Sequence, residues 1–278
     1  MPSTLDTNNK KGIFALFKGE SGTGKSVAAL SFPKPFVFDF DRKMPAISNK
    51  HFPGKEVHWG NFEDIFEVAG QMKAFMETGC PFETLIFDSI TTLSTLVLNS
   101  VGKVKGENAV DVLKSVNKKT NSIDVMGYDY YNAETNFIDR FLLENAQILH
   151  TRPGNPKHVI FLAHIVTVES APDIRTKVIT KSRSIVTAGR KSAAYIPTKF
   201  DEVYTFGYIL PDLGDEITPV KRIAKTEVHG EDSAKTAYDF PGTIDFTRDR
   251  LKQGTGNFYQ ELCKYTSFED EKVEELAL

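Results

Sequence analysis

The chain has 278 residues, of which 40% are hydrophobic, 26% charged and 11% aromatic. That mixture excludes a disordered chain, and the length accommodates one large α/β domain or two small ones. With 34 Lys and Arg against 37 Asp and Glu, the formal charge is −3, which excludes a protein that coats nucleic acid through overall positive charge.

Residues 1–11 read as a polar tail without the apolar core of a secretory signal. Residues 12–17 predict a first strand and 26–32 the helix after it. A second strand is expected over 36–40, entered through Pro33 and Pro35. Residues 61–78 predict a helix whose apolar face carries Ile65, Phe66, Ala69, Met72, Phe75 and Met76, stopped at Gly79-Cys80-Pro81. A short buried strand follows at 84–87, then a helix at 92–101. Residues 102–127 lose apolar density and read as a loop. A helix over 128–150 has Phe137, Phe141, Leu142, Ile148 and Leu149 as core candidates. The turn Arg152-Pro153-Gly154-Asn155-Pro156 leads into an apolar strand at 158–163. Beyond Thr167 the pattern changes to short alternating segments at 177–180, 203–209 and 220–226. These predict antiparallel strands and hairpins, with few helices until 257–265.

Strands alternating with helices predict an α/β fold, a mainly parallel sheet flanked by helices with an antiparallel C-terminal β extension. One domain over 12–266 is expected, followed by an acidic tail at 267–278. Cys80 and Cys263 supply neither a disulfide framework nor zinc-ligand spacing. No apolar run approaches the roughly 18 residues of a membrane span, so the expected location is the cytoplasm.

The strongest motif is Gly19-Glu20-Ser21-Gly22-Thr23-Gly24-Lys25-Ser26, which fits G-x-x-x-x-G-K-[ST] between a strand and a helix. Glycines let several backbone N–H groups converge on one phosphate chain. Lys25 is placed for the β- and γ-phosphates and the Ser26 hydroxyl for Mg²⁺. The sequence therefore predicts binding of ATP with Mg²⁺. Asp88, at the end of the 84–87 strand, is the expected second metal-side group. The position after it, where a water-orienting carboxylate is first sought, holds Ser89. Asp39 and Asp41 at the end of the second strand are the alternatives.

Taken with Phe38-Asp39-Phe40-Asp41, Leu85-Ile86-Phe87-Asp88-Ser89-Ile90-Thr91-Thr92-Leu93 and Val159-Ile160-Phe161-Leu162-Ala163-His164, this order of motifs resembles the RecA-like core of P-loop NTPases. More narrowly it resembles the short RecA-like ATPases of bacteriophages, a group that includes single-strand annealing proteins. The likeness spans about residues 12–250. It implies that Asp41 orients the attacking water, where the large recombinases have Glu, and that His164 senses the γ-phosphate. Lys221-Arg222-Ile223-Ala224-Lys225 falls where such proteins project a cation into a neighbouring subunit's site. Alternation puts Arg222 and Lys225 on opposite faces, and Lys225 is the preferred candidate.

The resemblance also implies a partner, single-stranded DNA. Two segments correspond to DNA-facing loops. The first, 102–127, carries Lys103, Lys105, Lys114, Lys118 and Lys119 against three acids. The second, 173–191, carries Arg175, Lys177, Lys181, Arg183, Arg190 and Lys191 against Asp173 alone. Tyr195 lies nearby as a stacking or core residue. A homo-oligomer, ring or filament, is expected, with a single-strand-binding protein of phage or host as a further partner. The short polar stretch before the first strand argues against a filament built through an N-terminal helix. The leading expectation is a Mg²⁺-requiring, DNA-dependent ATPase of recombination, repair or annealing in a bacterial host cell. Its rivals are an ATP-bound switch for a protein partner, a hexameric helicase motor and a small-molecule phosphotransferase.

Overall fold

A computed structural model describes residues 12–104, 115–117, 122–124, 134–169, 181–210, 220–228, 233–247 and 257–266. Its centre is β1 (Phe14–Gly19), completely buried, which turns through the glycine-rich loop into α1 (Lys25–Leu30). β2 (Pro35–Asp39), α2 (Met44–His51), β3 (His58–Gly60), α3 (Ile65–Thr78), β4 (Thr84–Asp88) and α4 (Ile90–Val104) follow. A small antiparallel pair, β5 (Ser115–Asn117) and β6 (Ser122–Asp124), stands apart from the main sheet. A π-helical stretch (Asn136–Leu143) runs into α5 (Glu144–His150). The remaining elements are β7 (His158–Glu169), β8 (Lys181–Ile185), α6 (Arg190–Tyr195), a 3₁₀ turn (Ile196–Lys199), β9 (Glu202–Ile209), β10 (Lys221–Lys225), β11 (Thr243–Asp245) and α7 (Phe258–Cys263).

The main sheet has the order β11-β10-β9-β1-β7-β4-β2-β3, with β8 added to β7. From β9 through β3 every neighbour pairs in parallel, and β10 and β11 close one edge antiparallel. This is the predicted α/β architecture. Parallel strands covered on both faces are apolar on both faces, as β1, β2 and β4 are. On one face Phe14, Leu16, Phe38, Phe87 and Phe161 pack under α3, α4 and α5. On the other, Ile13, Phe17, Ile86, Ile160 and Phe206 pack under α1, α2 and α7. Phe38, Phe87 and Phe161 share one register level on β2, β4 and β7. Their rings stack at 4.4 and 4.2 Å, a cross-strand ladder along the sheet.

Several boundaries differ from the sequence reading for identifiable reasons. β1 continues to Gly19 because β7 and β9 pair with it to that point. β9, expected in a hairpin, pairs in parallel with β1 on one side and antiparallel with β10 on the other. Its alternation of polar and apolar residues does not signal an exposed face, since Glu202 through Phe206 are all buried. α3 starts at Ile65 under a cap from Asp64, whose carboxylate accepts the N–H groups of Phe66 and Glu67. That phase turns Val68, Met72 and Phe75 inward and leaves Phe66 59% exposed. The π-helical stretch shifts the apolar face again, so Ala146 and Leu149 are buried and Ile148 faces out. α2, β3 and α6 were not foreseen. The strand expected at 177–180 and most of the loop at 102–127 lie outside the described residues.

Candidate active site

The loop after β1 is built by close approach. A Cβ on Gly19 would lie 2.5 Å from the Phe206 carbonyl oxygen of β9, so only glycine lets the chain pass. Gly24 has φ +96°, in the left-handed region, and caps α1. A Cβ there would also press on the Phe246 ring at 3.2 Å and the Arg222 side chain at 3.4 Å. The Thr23 hydroxyl ties the loop to the Glu20 carbonyl at 2.8 Å. Lys25 folds back across it, its Nζ donating to the carbonyls of Gly19 and Glu20 at 2.9 and 2.8 Å. Burial lowers the Lys25 ammonium to about 8, against the opposing fields of Asp88 and Asp41.

The Ser26 hydroxyl donates to Asp88 Oδ2 at 2.8 Å, which joins the two expected metal-side groups across 62 residues of sequence. Burial raises the Asp88 carboxyl to about 6, the Ser26 hydrogen bond opposes this, and the nearby Asp41 and Asp39 carboxylates raise it further. The Asp88–Ser89 peptide is cis. Among the described residues, no cluster of three or more His, Cys, Asp and Glu forms a metal site. The oxygen donors of Ser26 and Asp88 nevertheless fit Mg²⁺, which takes one or two protein ligands and completes its shell with phosphate oxygens and water.

The two carboxylates after β2 have different tasks. Asp39 is fully buried and accepts the N–H groups of Lys43 and Met44 at 3.1 and 2.9 Å, so it caps the start of α2. Asp41 lies beyond the strand end, so simple strand alternation does not place it. Its Oδ1 accepts a hydrogen bond from the Thr92 hydroxyl, and its Oδ2 lies 3.2 Å from Lys43 Nζ. The fields of Asp41 at Lys25, Asp88 and His164 put it within one charge cluster with them.

His164 is paired with Gly19 at the end of β1, and its N–H donates to Thr91 Oγ1 at 3.2 Å. Burial and the charge of Lys25 lower its pKa from the ordinary value, while Asp41 opposes that shift. Directly beyond it, Ile165 through Glu169 pair with Lys181 through Ile185 in an antiparallel arm. Lys225 and Arg183 line a cleft of about 320 Å³ beside Glu20 and Thr23 of the same chain's loop, together with Tyr208. Arg222 lies on the opposite side of β10, its stem against Gly24.

Of the second basic segment, Lys181 pairs with Glu169 at 2.9 Å and Arg183 lies on the same strand. Arg190 and Lys191 open α6, and Asp173, Arg175 and Lys177 lie outside the described residues. In the first segment Lys103 falls within α4, whereas Lys105, Lys114, Lys118 and Lys119 lie outside them. Tyr195 is 40% exposed, with Lys199 Nζ 4.5 Å above its ring. Lys43, Thr91 and Thr92 were missed as site residues. The Ser89-Ile90-Thr91-Thr92 run is visible in the sequence, but its hydroxyl partners lie just after β2 and on β7 and emerge only on folding.

Residues 11–238 match the family described as AAA domain, more than half of the chain. The chain belongs to that family. This AAA-domain protein is therefore a P-loop ATPase by family, in agreement with the loop and the Ser26–Asp88 contact. A KaiC-like protein from the hyperthermophilic archaeon Pyrococcus horikoshii is similar in structure at 10% identity and a TM-score of 0.41, covering 85% of this chain and 90% of that one. The flagellar accessory protein FlaH of Methanocaldococcus jannaschii is similar at 15% identity and a TM-score of 0.36, covering 85% of each chain. A search of curated proteins returns no match. Among the described residues, no helix is long and apolar enough to cross a membrane.

Proposed function

We propose that the protein is a Mg²⁺-dependent ATPase responsive to single-stranded DNA, acting in recombination, repair or strand annealing of the bacteriophage type. The observation that carries the hydrolytic part is the convergence of the phosphate loop, the Ser26–Asp88 pair, Asp41 and His164 at the carboxyl ends of β1, β2 and β4, His164 lying on β7 level with the end of β1.

In this reading the loop's N–H groups hold the triphosphate, and Lys25 transfers its hydrogen bonds from Gly19 and Glu20 to phosphate oxygens. Ser26 and Asp88 would hold a Mg²⁺, which would supply neutralisation of charge on the triphosphate. Asp41 orients the attacking water and accepts its proton. His164 contacts the γ-phosphate, and because β7 runs on from it into the β7–β8 arm, strand position couples the phosphate to the basic segment. The cations of that segment track the DNA backbone. In a ring or filament of identical subunits, Lys225 of one copy acts on the site of the next.

A second reading, an ATP-bound switch that captures a protein partner, draws on one contact. The Lys43 ammonium beside Asp41 holds the water-orienting carboxylate in an ion pair, which favours slow turnover. The discriminating experiment separates binding from hydrolysis. Lys25→Ala is expected to lose ATP binding, whereas Asp41→Asn keeps binding and loses turnover by about 100-fold or more. Retention of turnover in Asp41→Asn overturns the assignment of the base.

A further inference from the structure

We propose that Thr91 and Thr92 form a brace that positions the water-orienting carboxylate of Asp41 relative to His164. The proposal rests on the hydrolytic reading above and deepens it.

Asp41 follows β2 and His164 lies within β7, and both lie where pairing with β4 gives out. β2 ends at Asp39, and one further contact, Phe40 N–H to the Asp88 carbonyl at 2.8 Å, continues its pairing with β4. Asp41 lies past that contact, beside Arg42 with φ +56°. The ladder therefore leaves its carboxylate direction undetermined. On the other side, β4 pairs with β7 only to Asp88↔Leu162, so His164 has no β4 residue opposite it. Its carbonyl is bonded by the Val186 N–H at 2.8 Å, and its N–H finds Thr91 Oγ1 at 3.2 Å.

The sheet order explains why one turn reaches both. β4 lies between β7 and β2, so α4, leaving the end of β4, starts between the two strand ends. Consecutive helical residues point about 100° apart. Thr91 is thus aimed at β7 while Thr92 is aimed at the turn after β2. The Thr92 hydroxyl donates to Asp41 Oδ1, and its N–H and Oγ1 lie 3.4 and 3.5 Å from the Ser89 hydroxyl, next to Asp88. The first turn of α4 thereby links three groups of the site: Asp88 by covalent continuity, Asp41 through Thr92 and the His164 backbone through Thr91. Neither threonine is assigned to substrate. Each is a positioning residue, acting through the group it holds.

The test uses the full chain with steady-state ATP hydrolysis in Mg²⁺, comparing wild type with Thr92→Val, Thr92→Ser, Thr91→Val, Thr91→Ser and Asp41→Asn. Valine preserves shape and removes the hydroxyl, whereas serine keeps it. Thr92→Val should lower kcat by about 10- to 100-fold with KM for ATP within about twofold, the signature of lost positioning rather than lost binding. Thr92→Ser should recover kcat to within about threefold. Thr91→Val and Thr91→Ser should show the same contrast with a smaller loss. If Asp41→Asn abolishes turnover but Thr92→Val leaves kcat unchanged, the brace is wrong and the hydrolytic reading stands. Equal impairment of the Val and Ser variants also overturns it, because shape and not the hydroxyl would then matter. Unchanged kcat in Asp41→Asn overturns both.

Discussion

At Gly24 the backbone conformation and the surroundings impose the same requirement. A φ of +96° disfavours any L side chain, and Phe246 and Arg222 occupy the space a Cβ would need. Gly24→Ala should therefore weaken ATP binding by about 5- to 150-fold, through strain of about 1–3 kcal/mol at the loop. Equilibrium binding of a fluorescent ATP analogue measures this, and an unchanged affinity contradicts the geometry. Asp88 illustrates the opposite trade. Its carboxylate is buried beside two other acids and is raised to about 6, so near neutral pH it is ionised in a setting that disfavours the charge. Asp88→Asn retains an acceptor for Ser26 and removes that charge. The variant should be more stable without nucleotide, by roughly 2–3 kcal/mol at most. Mg²⁺-dependent hydrolysis should be lost. Thermal unfolding and phosphate release measured on the same preparation check both halves.

At the scale of elements, the cover over one sheet face is joined through a buried carboxylate. Glu134 is fully buried and accepts hydrogen bonds from Ser94 of α4 and Ser192 of α6, the latter at 3.2 Å. Ser94 Oγ in turn accepts the Ala188 N–H at 2.7 Å. Glu134→Ala removes the carboxylate that both serines donate to and should destabilise the protein by about 1–3 kcal/mol, read as a lower urea midpoint. An unchanged midpoint would show that the network adds nothing. Such a contact was illegible in the sequence, because it joins residues 94, 134 and 192 through tertiary packing. What was legible followed local rules. The phosphate loop, the strand ending at Asp88 and the apolar 158–163 strand each carry their signal within a short window. Phases and partners did not. Phe66 pointed outward because the Asp64 cap set where α3 begins, and the face of the α5 segment was turned by a π-helical stretch that hydrophobic spacing does not reveal. β9 read as part of an antiparallel hairpin because it alternates, yet its polar residues Glu202 and Thr205 are satisfied inside the fold, Glu202 by Tyr204 and Ala237 and Thr205 by the Ser233 carbonyl. Asp39 and Asp41 looked equivalent in sequence and separate only once α2 forms under Asp39.

For the whole molecule, two histidines near the amino end of β7 set a pH limit. His158 is half-buried, accepts the Ile13 N–H at 3.1 Å, and desolvation lowers it to about 3. His150 is lowered in the same direction by burial. Their folded pKa values lie below the unfolded value of 6.5, so the unfolded state binds more protons as the pH falls. Their contribution to stability is complete above about pH 6.5 and is lost progressively below it, at about 1.4 kcal/mol per pH unit for His158. Asp88 and Glu202, both raised, act with the opposite sign toward acid. Comparison with His158→Asn therefore isolates the effect. Between pH 6.5 and 5 the stability of the variant should fall less steeply than that of the wild type, and parallel slopes would contradict the assignment.

The near-neutral whole conceals an uneven distribution of charge, with an acidic tail, a basic segment at 173–191 and a mildly acidic remainder. A global charge of −3 is therefore compatible with a local DNA site whose binding falls steeply with salt. The most direct measurement is steady-state phosphate release from ATP by the full chain in Mg²⁺, with and without single-stranded DNA, at low and high salt. The account predicts hydrolysis that is stimulated severalfold by the DNA, less so at high salt, and lost in Lys25→Ala. A rate that is the same at every DNA concentration and salt would contradict it.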